Sequence, residues 1–359
     1  MREINVDNLD DIAIGAAVLG TGGGGNPYIG KLMAREAIKK YGPVKLIDPG
    51  ELDDSDVVIP TGMMGAPTVM VEKLPEGQEV VRAFQELERH LGVAAKATMS
   101  CEVGGLNSVT PFTVAAQLGI PVVDADMMGR AFPELQMATP TIYGIPATPM
   151  AIADEKGNHA ILKTLDNRWA ETLARTMTID MGCSSMIAIF SMTGEQVKQS
   201  CVRNSLTLAE NIGIAIRRSR SQGIEPIEAL RNLTEAFVIW QGRVVDVQRR
   251  TATGFARGNA TIAGIGEYYG RRLEIAFQNE YLIARADDNE VLISTPDLIT
   301  ILDTETGEPI TTESLRYGFP VTVIGLPCDD RWRTEQGLSI VGPSYFGYDA
   351  NYIPIEARY

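Results

Sequence analysis

Leu9, Ile12, Ala16 and Leu19 recur at three- and four-residue spacing through Asn8–Leu19, with polar positions between them. That period predicts an amphipathic helix near the start of the chain. A second helical pattern opens at Asn26 and Pro27, where asparagine suits the N-cap and proline the first helical position. Apolar runs and helical spacing then alternate. Val44–Ile47 and residues 56–62 read as strands. Glu79–Leu91, with Val80, Phe84, Leu87 and Leu91 on one face, reads as a helix. Residues 95–101 read as a strand, 107–118 as a helix and 120–124 as a strand. This rhythm predicts an α/β N-terminal domain over residues 1–165 with a mainly parallel sheet covered by helices. In such sheets sites gather at the carboxyl ends of strands.

The pattern changes near residue 148. Apolar runs at 150–153 and 159–164 flank Asp154-Glu155-Lys156-Gly157-Asn158, a hairpin signal. Helical periods at 168–181 and 200–222 enclose a strand at 186–192, and a shorter helix fits 225–235. Beyond Phe237 short strands dominate, at 244–250, 258–265, 271–278, 281–286, 290–293, 297–302 and 320–326. Residues 166–359 are therefore expected to form a C-terminal domain rich in β structure with a helical pair.

A length of 359 residues fits two domains. The net charge of −14 and pI near 4.7 argue against nucleic acid and anionic membranes as partners. No apolar stretch has transmembrane length, and the first residues are polar and acidic rather than signal-like, so a cytoplasmic protein is expected. Cys101, Cys183, Cys201 and Cys328 are scattered and form no Cys-x-x-Cys pair, as reduced thiols would be. Two histidines, His90 and His159, leave little for a His-rich metal site.

Four adjacent glycines, Gly22, Gly23, Gly24 and Gly25, stand between the first two helical patterns. Such a run carries a large entropic cost and serves where backbone must approach something closely. Glycine amides feeding a helix start can bind an anion or a carbonyl oxygen, with Asn26 beside them. A tight helix–helix connection is the alternative. Gly20-Thr21-Gly22-Gly23-Gly24-Gly25 can be forced onto G-x-G-x-x-G, but a helix rather than a strand precedes it, so the dinucleotide fingerprint is not satisfied.

Two further clusters sit at expected strand ends. Asp124 and Asp126 can present two carboxylates to a divalent cation, or one to a metal and one to a proton, with Arg130 placed to pair with a substrate carboxylate and Glu134 as a further acid or base. The alternative is a salt-bridged loop in which Arg130 holds Asp126 and Glu134. Glu102 precedes Gly104 and Gly105 and either faces a ligand or caps a turn. Asn107 suits a helix cap or a substrate amide. Cys183 is either a nucleophile or metal ligand on a glycine turn, or a small buried residue. Met63, Met64, Met127 and Met128 follow strands and are expected to form an adaptable apolar wall or ordinary packing.

The stretches Leu19-Gly-Thr-Gly-Gly-Gly-Gly-Asn-Pro-Tyr-Ile-Gly30, Ser100-Cys-Glu-Val-Gly-Gly105 and Asp124-Ala-Asp-Met-Met-Gly-Arg-Ala-Phe-Pro-Glu-Leu-Gln-Met137 resemble the S-methyl thiohydantoin desulfurase-like family over nearly the whole chain. The resemblance implies hydrolysis at the C–S carbon of a five-membered ring, which releases a sulfur leaving group and leaves a hydantoin. Set against these residues, Asp124, Asp126, Glu102 and Glu134 are the candidates to activate water, alone or through one divalent ion. Oxygen ligands would favour Mg²⁺ or Mn²⁺, and recruitment of Cys183 would favour Zn²⁺. The amides of Gly22, Gly23, Gly24 and Gly25 are candidate donors to charge on the ring. A small cyclic substrate and a homo-oligomer are expected. A non-catalytic partner of a hydantoinase- or oxoprolinase-type enzyme is the alternative reading, and a dinucleotide-dependent oxidoreductase is disfavoured by the helix before the glycines.

Overall fold

The first strand, β1 (Arg2–Ile4), leads into two helices, α1 (Asn8–Leu19) and α2 (Pro27–Tyr41), joined by the glycine loop. The computed structural model describes residues 1–25, 27–65, 69, 73 and 75–359, so Asn26 lies outside the described residues. Next come β2 (Val44–Ile47), β3 (Val57–Gly65), α3 (Glu79–Leu91), β4 (Ala97–Ser100), α4 (Thr110–Leu118), β5 (Val122–Val123) and β6 (Ala125–Asp126). A single turn, α5 (Thr139–Ile142), precedes the hairpin of β7 (Met150–Ala153) and β8 (His159–Leu162). Helix α6 (Asn167–Asp180) then leads to β9 (Ser184–Ala188), β10 (Met192–Thr193), α7 (Gly194–Ser200), β11 (Val202–Arg203), α8 (Ser205–Gln222) and α9 (Pro226–Leu233).

The strands of this part form one sheet in the order β1-β2-β5-β4-β3-β9-β7-β8, with β10 also on β3. Only the stretch from β2 through β5 and β4 to β3 is parallel. The sheet is therefore mixed, not mainly parallel. The cause is the return path of the chain. Strand β9 runs back beside β3 in the opposite direction, and β7 and β8 extend the sheet beyond it, each antiparallel to its neighbour. The parallel segment is helix-covered, as βαβ connections require. Helix α3, whose Val80, Phe84 and Leu87 are wholly buried, packs over this sheet.

Helices α6 and α8 do not form the expected pair. Helix α6 lies on β3 and β9, whereas α8 runs along α1. Small residues permit that second contact. A Cβ on Gly15 would fall 1.7 Å from the Ala209 carbonyl oxygen, and one on Gly213 would fall 2.0 Å from that of Asp11. At one end of the contact Arg217 pairs with Asp11 at 2.7 Å.

The rest is antiparallel: β12 (Phe237–Ala252), β13 (Phe255–Gly264), β14 (Arg272–Gln278), β15 (Glu280–Ala286), β16 (Val291–Ser294), β17 (Leu298–Asp303) and β18 (Pro320–Leu326), in the order β16-β15-β14-β13-β12-β18-β17. Bulges interrupt β12, β15 and β16. Bulges bend a strand and increase its twist. The sheet curls until β17 lies against β15 and β16, around a core that includes Trp240, Ile275, Tyr281, Ile299 and Val323. A short helix, α10 (Glu335–Val341), follows. The turn between β14 and β15 points back to the glycine loop and the end of β4, where the Tyr281 amide donates to the Thr21 carbonyl at 2.8 Å.

Candidate functional site

The glycine loop is squeezed between three other segments, and each glycine answers to one of them. A Cβ on Gly22 would lie 2.4 Å from the Tyr281 ring, one on Gly23 would lie 1.9 Å from Glu280 Oε1, and one on Gly24 would lie 2.5 Å from the Gly104 carbonyl carbon. Gly22, Gly24 and Gly25 also have positive φ, at 84°, 76° and 83°, a region glycine enters freely. The loop carbonyls hold the segments together. Thr312 N donates to Gly22 O at 2.9 Å, and Leu106 N donates to Gly24 O at 2.9 Å.

Beyond the loop lies a small cavity of about 60 Å³, bordered by Gly24, Gly25, Glu102 and Glu280. At roughly 10–15 Å³ per water it has room for about four to six waters, the scale of a small heterocycle. Met63, Met64, Met128 and Phe132 give it an apolar wall, with Cys101 and Glu134 also at its edge. Met127 is packed in the core instead.

Glu102 leaves the end of β4 and is 6% exposed. Its Oε1 accepts from Asn107 Nδ2 at 2.7 Å and its Oε2 from Phe132 N at 3.3 Å. Asn107 is fixed in turn by Met63, whose amide donates to Asn107 Oδ1 at 2.6 Å. Burial lifts the Glu102 carboxyl to a pKa of about 7, against the pull of the Asn107 and Phe132 hydrogen bonds. Glu280 opens β15 and is 2% exposed, and its Oε2 has no hydrogen-bond partner among the described residues. Burial first, and then the charge of Glu102, push Glu280 well above the usual carboxylate range, with Arg130 opposing. Two desolvated carboxyls thus share one cavity and titrate together, with Asn107 and the Phe132 amide favouring ionised Glu102 and the Gly24 amide favouring ionised Glu280. Burial also raises Cys101, as do Glu102 and Asp126, which keeps it a thiol.

The remaining expected site residues are placed differently. Asp124 does not face the cavity. Its Oδ1 accepts from Leu206 N and Thr207 N at 3.1 Å, and its Oδ2 from the Thr207 hydroxyl, so it caps α8. Asp126 Oδ2 accepts from Val103 N, Met128 N and Gly129 N at 2.8–2.9 Å and ties the loop that carries Glu102 to the 126–129 turn. The two aspartates therefore do not converge on a cation, and among the described residues no cluster of three His, Cys, Asp or Glu is arranged to hold one. Cys183 sits in a strained turn at φ 65° after α6, outside the cavity.

Arg130 is fully buried and cannot clamp a substrate carboxylate. Its Nη1 donates to Pro296 O at 2.7 Å and Asp297 O at 2.8 Å, its Nε to Ala131 O at 3.0 Å and its Nη2 to Thr21 Oγ1 at 3.0 Å. It also does not hold Glu134. That carboxylate accepts from the Tyr345 hydroxyl at 2.7 Å and from Gln136 at the cavity rim.

Glu280 escapes the sequence reading. It falls in the gap between the strands expected at 271–278 and 281–286, and Asn279, at φ 58°, makes the sharp turn that turns the next side chain inward.

Two family models together match most of the chain: "S-Me-THD-like, N-terminal domain" over residues 7–164 and "S-Me-THD-like, C-terminal domain" over 165–355. The fold is similar to the crystal structure of a protein from Chromobacterium violaceum, at TM-score 0.82 and 23% identity, covering 99% of this chain and 100% of that one. Among curated proteins none matches. Among the described residues no helix is long and apolar enough to cross a membrane.

Proposed function

The chain belongs to the S-Me-THD-like family, and from that premise we propose that it hydrolyses the carbon–sulfur bond of an S-methyl thiohydantoin, with Glu102 as base and Glu280 as acid. The observation that carries this reading is the pair of buried carboxyls on one small cavity. Glu102, with two donors favouring its carboxylate, takes a proton from water as the oxygen attacks the sulfur-bearing ring carbon. The C=N π pair moves onto the ring nitrogen, which takes the proton of Glu280. The carbon–sulfur bond then breaks as the added hydroxyl becomes a carbonyl and returns its proton to Glu280. Methanethiolate leaves with the proton held by Glu102. One water is consumed, hydantoin and methanethiol are released, and both carboxyls regain their starting states.

Apolar Met63, Met64 and Met128 suit the methylthio group. Gly24 and Gly25 bring backbone, not side chains, to the ring. The roles proposed from sequence for Asp124, Asp126 and Arg130 become structural ones, and Glu134 stays at the rim as a contact for a ring substituent. The test is methanethiol release from an S-methyl thiohydantoin by the wild-type chain and by Glu102→Gln and Glu280→Gln. Release by the wild type and its loss in both folded variants supports the proposal, whereas full turnover in either variant removes its centre.

A further inference from the structure

A second cleft, of about 520 Å³, lies on the C-terminal sheet between β12, β13, β14 and the segment carrying Phe346 and Tyr348. Arg250 of β12 and Arg257 of β13 stand directly opposite in the ladder, and Arg257 is opposite Gln278 of β14. Directly opposed residues share a face, and like charges so placed repel. From β15 the Arg285 guanidinium comes to 5.5 Å from the centre of the Tyr348 ring. Burial raises the Tyr348 hydroxyl while Arg285 and Arg257 both pull it down, so two of the arginines bear on one phenol.

None of Arg250, Arg257 and Arg285 has an ion-pair partner among the described residues. The acids nearby do not answer them. Asp246 accepts from Gln248 at 3.0 Å, and Glu274 faces Arg285 across the ladder without forming an ion pair. In a chain of net charge −14 this gathering of unanswered cations is unexpected. Gln278 supplies the second observation. It is 8% exposed, it borders the cleft, and its Nε2 has no acceptor among the described residues. A buried donor left unpaired is costly, and an oxyanion between the arginines would answer it.

We propose that this cleft binds a small molecule carrying an oxyanion on a planar ring. Arg250 and Arg257 hold the phosphate or carboxylate, Gln278 donates to it, and Phe346 and Tyr348 flank the ring. Guanidinium forks match both anions. The inference is independent of the proposed hydrolysis. The site nevertheless backs onto the first cavity, because Gln278 is followed by Asn279 and Glu280, which border that cavity.

The test is calorimetric titration of the full chain at low ionic strength with three probes: AMP, benzoate and inorganic phosphate. The expected result is saturable one-site binding of AMP or benzoate, tighter than inorganic phosphate. Whichever ring compound binds identifies the anion as phosphate or carboxylate. The double variant Arg250→Gln with Arg257→Gln should weaken binding at least tenfold, and the independently folded Gln278→Leu should also weaken it, with Glu280→Gln unchanged. The proposal is overturned if no probe saturates, if the double variant binds as the wild type does, or if Glu280→Gln alone abolishes binding. A change in sedimentation mass of the double variant with no probe bound by the wild type assigns the cleft to a subunit contact and equally overturns it.

Discussion

Glu102 and Glu280 differ in how fully their carboxyl oxygens are paired. Asn107 and the Phe132 amide stabilise the ionised form of Glu102, whereas Glu280 Oε2 has no such donor among the described residues. Removing an acid or base of this kind lowers turnover by about 10²–10⁴-fold, so Glu102→Gln and Glu280→Gln should each lose at least a hundredfold in kcat for methanethiol release. With Glu102 near 7 and Glu280 raised well above the usual carboxylate range by burial and by the charge of Glu102, kcat/KM should rise through pH 7 as Glu102 ionises and fall as Glu280 loses its proton. The same shifts bear on stability. Both groups bind protons more tightly folded than unfolded, so their contribution is whole below the unfolded value near 4.5 and is lost as pH rises through the folded values. The melting temperature should fall between pH 5 and 8, and Glu280→Gln should raise it at pH 8 by roughly 1–1.5 °C per kcal/mol recovered. A flat melting profile over that range in the wild type contradicts this account. The place of Glu102 on the cavity was legible because two glycines after a strand end mark a close backbone approach. Arg130 was misread for the opposite reason. Nothing local to a loop reveals that its cation will be saturated by carbonyls 166 and 167 positions away.

Long amphipathic periods made elements easy to read. Asn8–Leu19 and Glu79–Leu91 form helices with the expected bounds, because a period sustained over three turns leaves few alternatives. The direction of strand pairing was not legible, since it depends on the path by which β9 returns to β3 and the β7–β8 hairpin extends the sheet beyond it. Nor was the partner of α8, which depends on close approach at Gly15 and Gly213. Gly213→Ala should cost about 1–3 kcal/mol in denaturant unfolding, the usual penalty of overpacking. Asp124→Ala should remove the cap of α8 and cost about 1–2 kcal/mol, with kcat unchanged, whereas a large loss of kcat in a folded Asp124→Ala protein would restore that residue to the chemistry. In the glycine loop, Gly23→Ala aims a methyl group at Glu280 Oε1. Its expected signature is lost turnover out of proportion to lost stability, read by comparing methanethiol release with the melting curve.

Across the whole molecule the cavity is assembled from both family-matched regions. Glu102 comes from residues 7–164 and Glu280 from 165–355, and β9, from the second region, sits within the sheet between β3 and β7. A polypeptide of residues 1–164 lacks β9 and the helix that covers α1, and should show no cooperative melting transition by circular dichroism. A sharp transition from that fragment would contradict this view of the fold.

The loop of residues 21–25 has a temporal consequence. Until its carbonyls engage Thr312 and Leu106, the turn that presents Glu280 is not seated, and that side chain is an ordinary solvated acid with an ordinary proton affinity. Reactivity is therefore the last property the polypeptide acquires. On dilution from denaturant, helical ellipticity should recover first, and methanethiol release should follow only after a measurable lag.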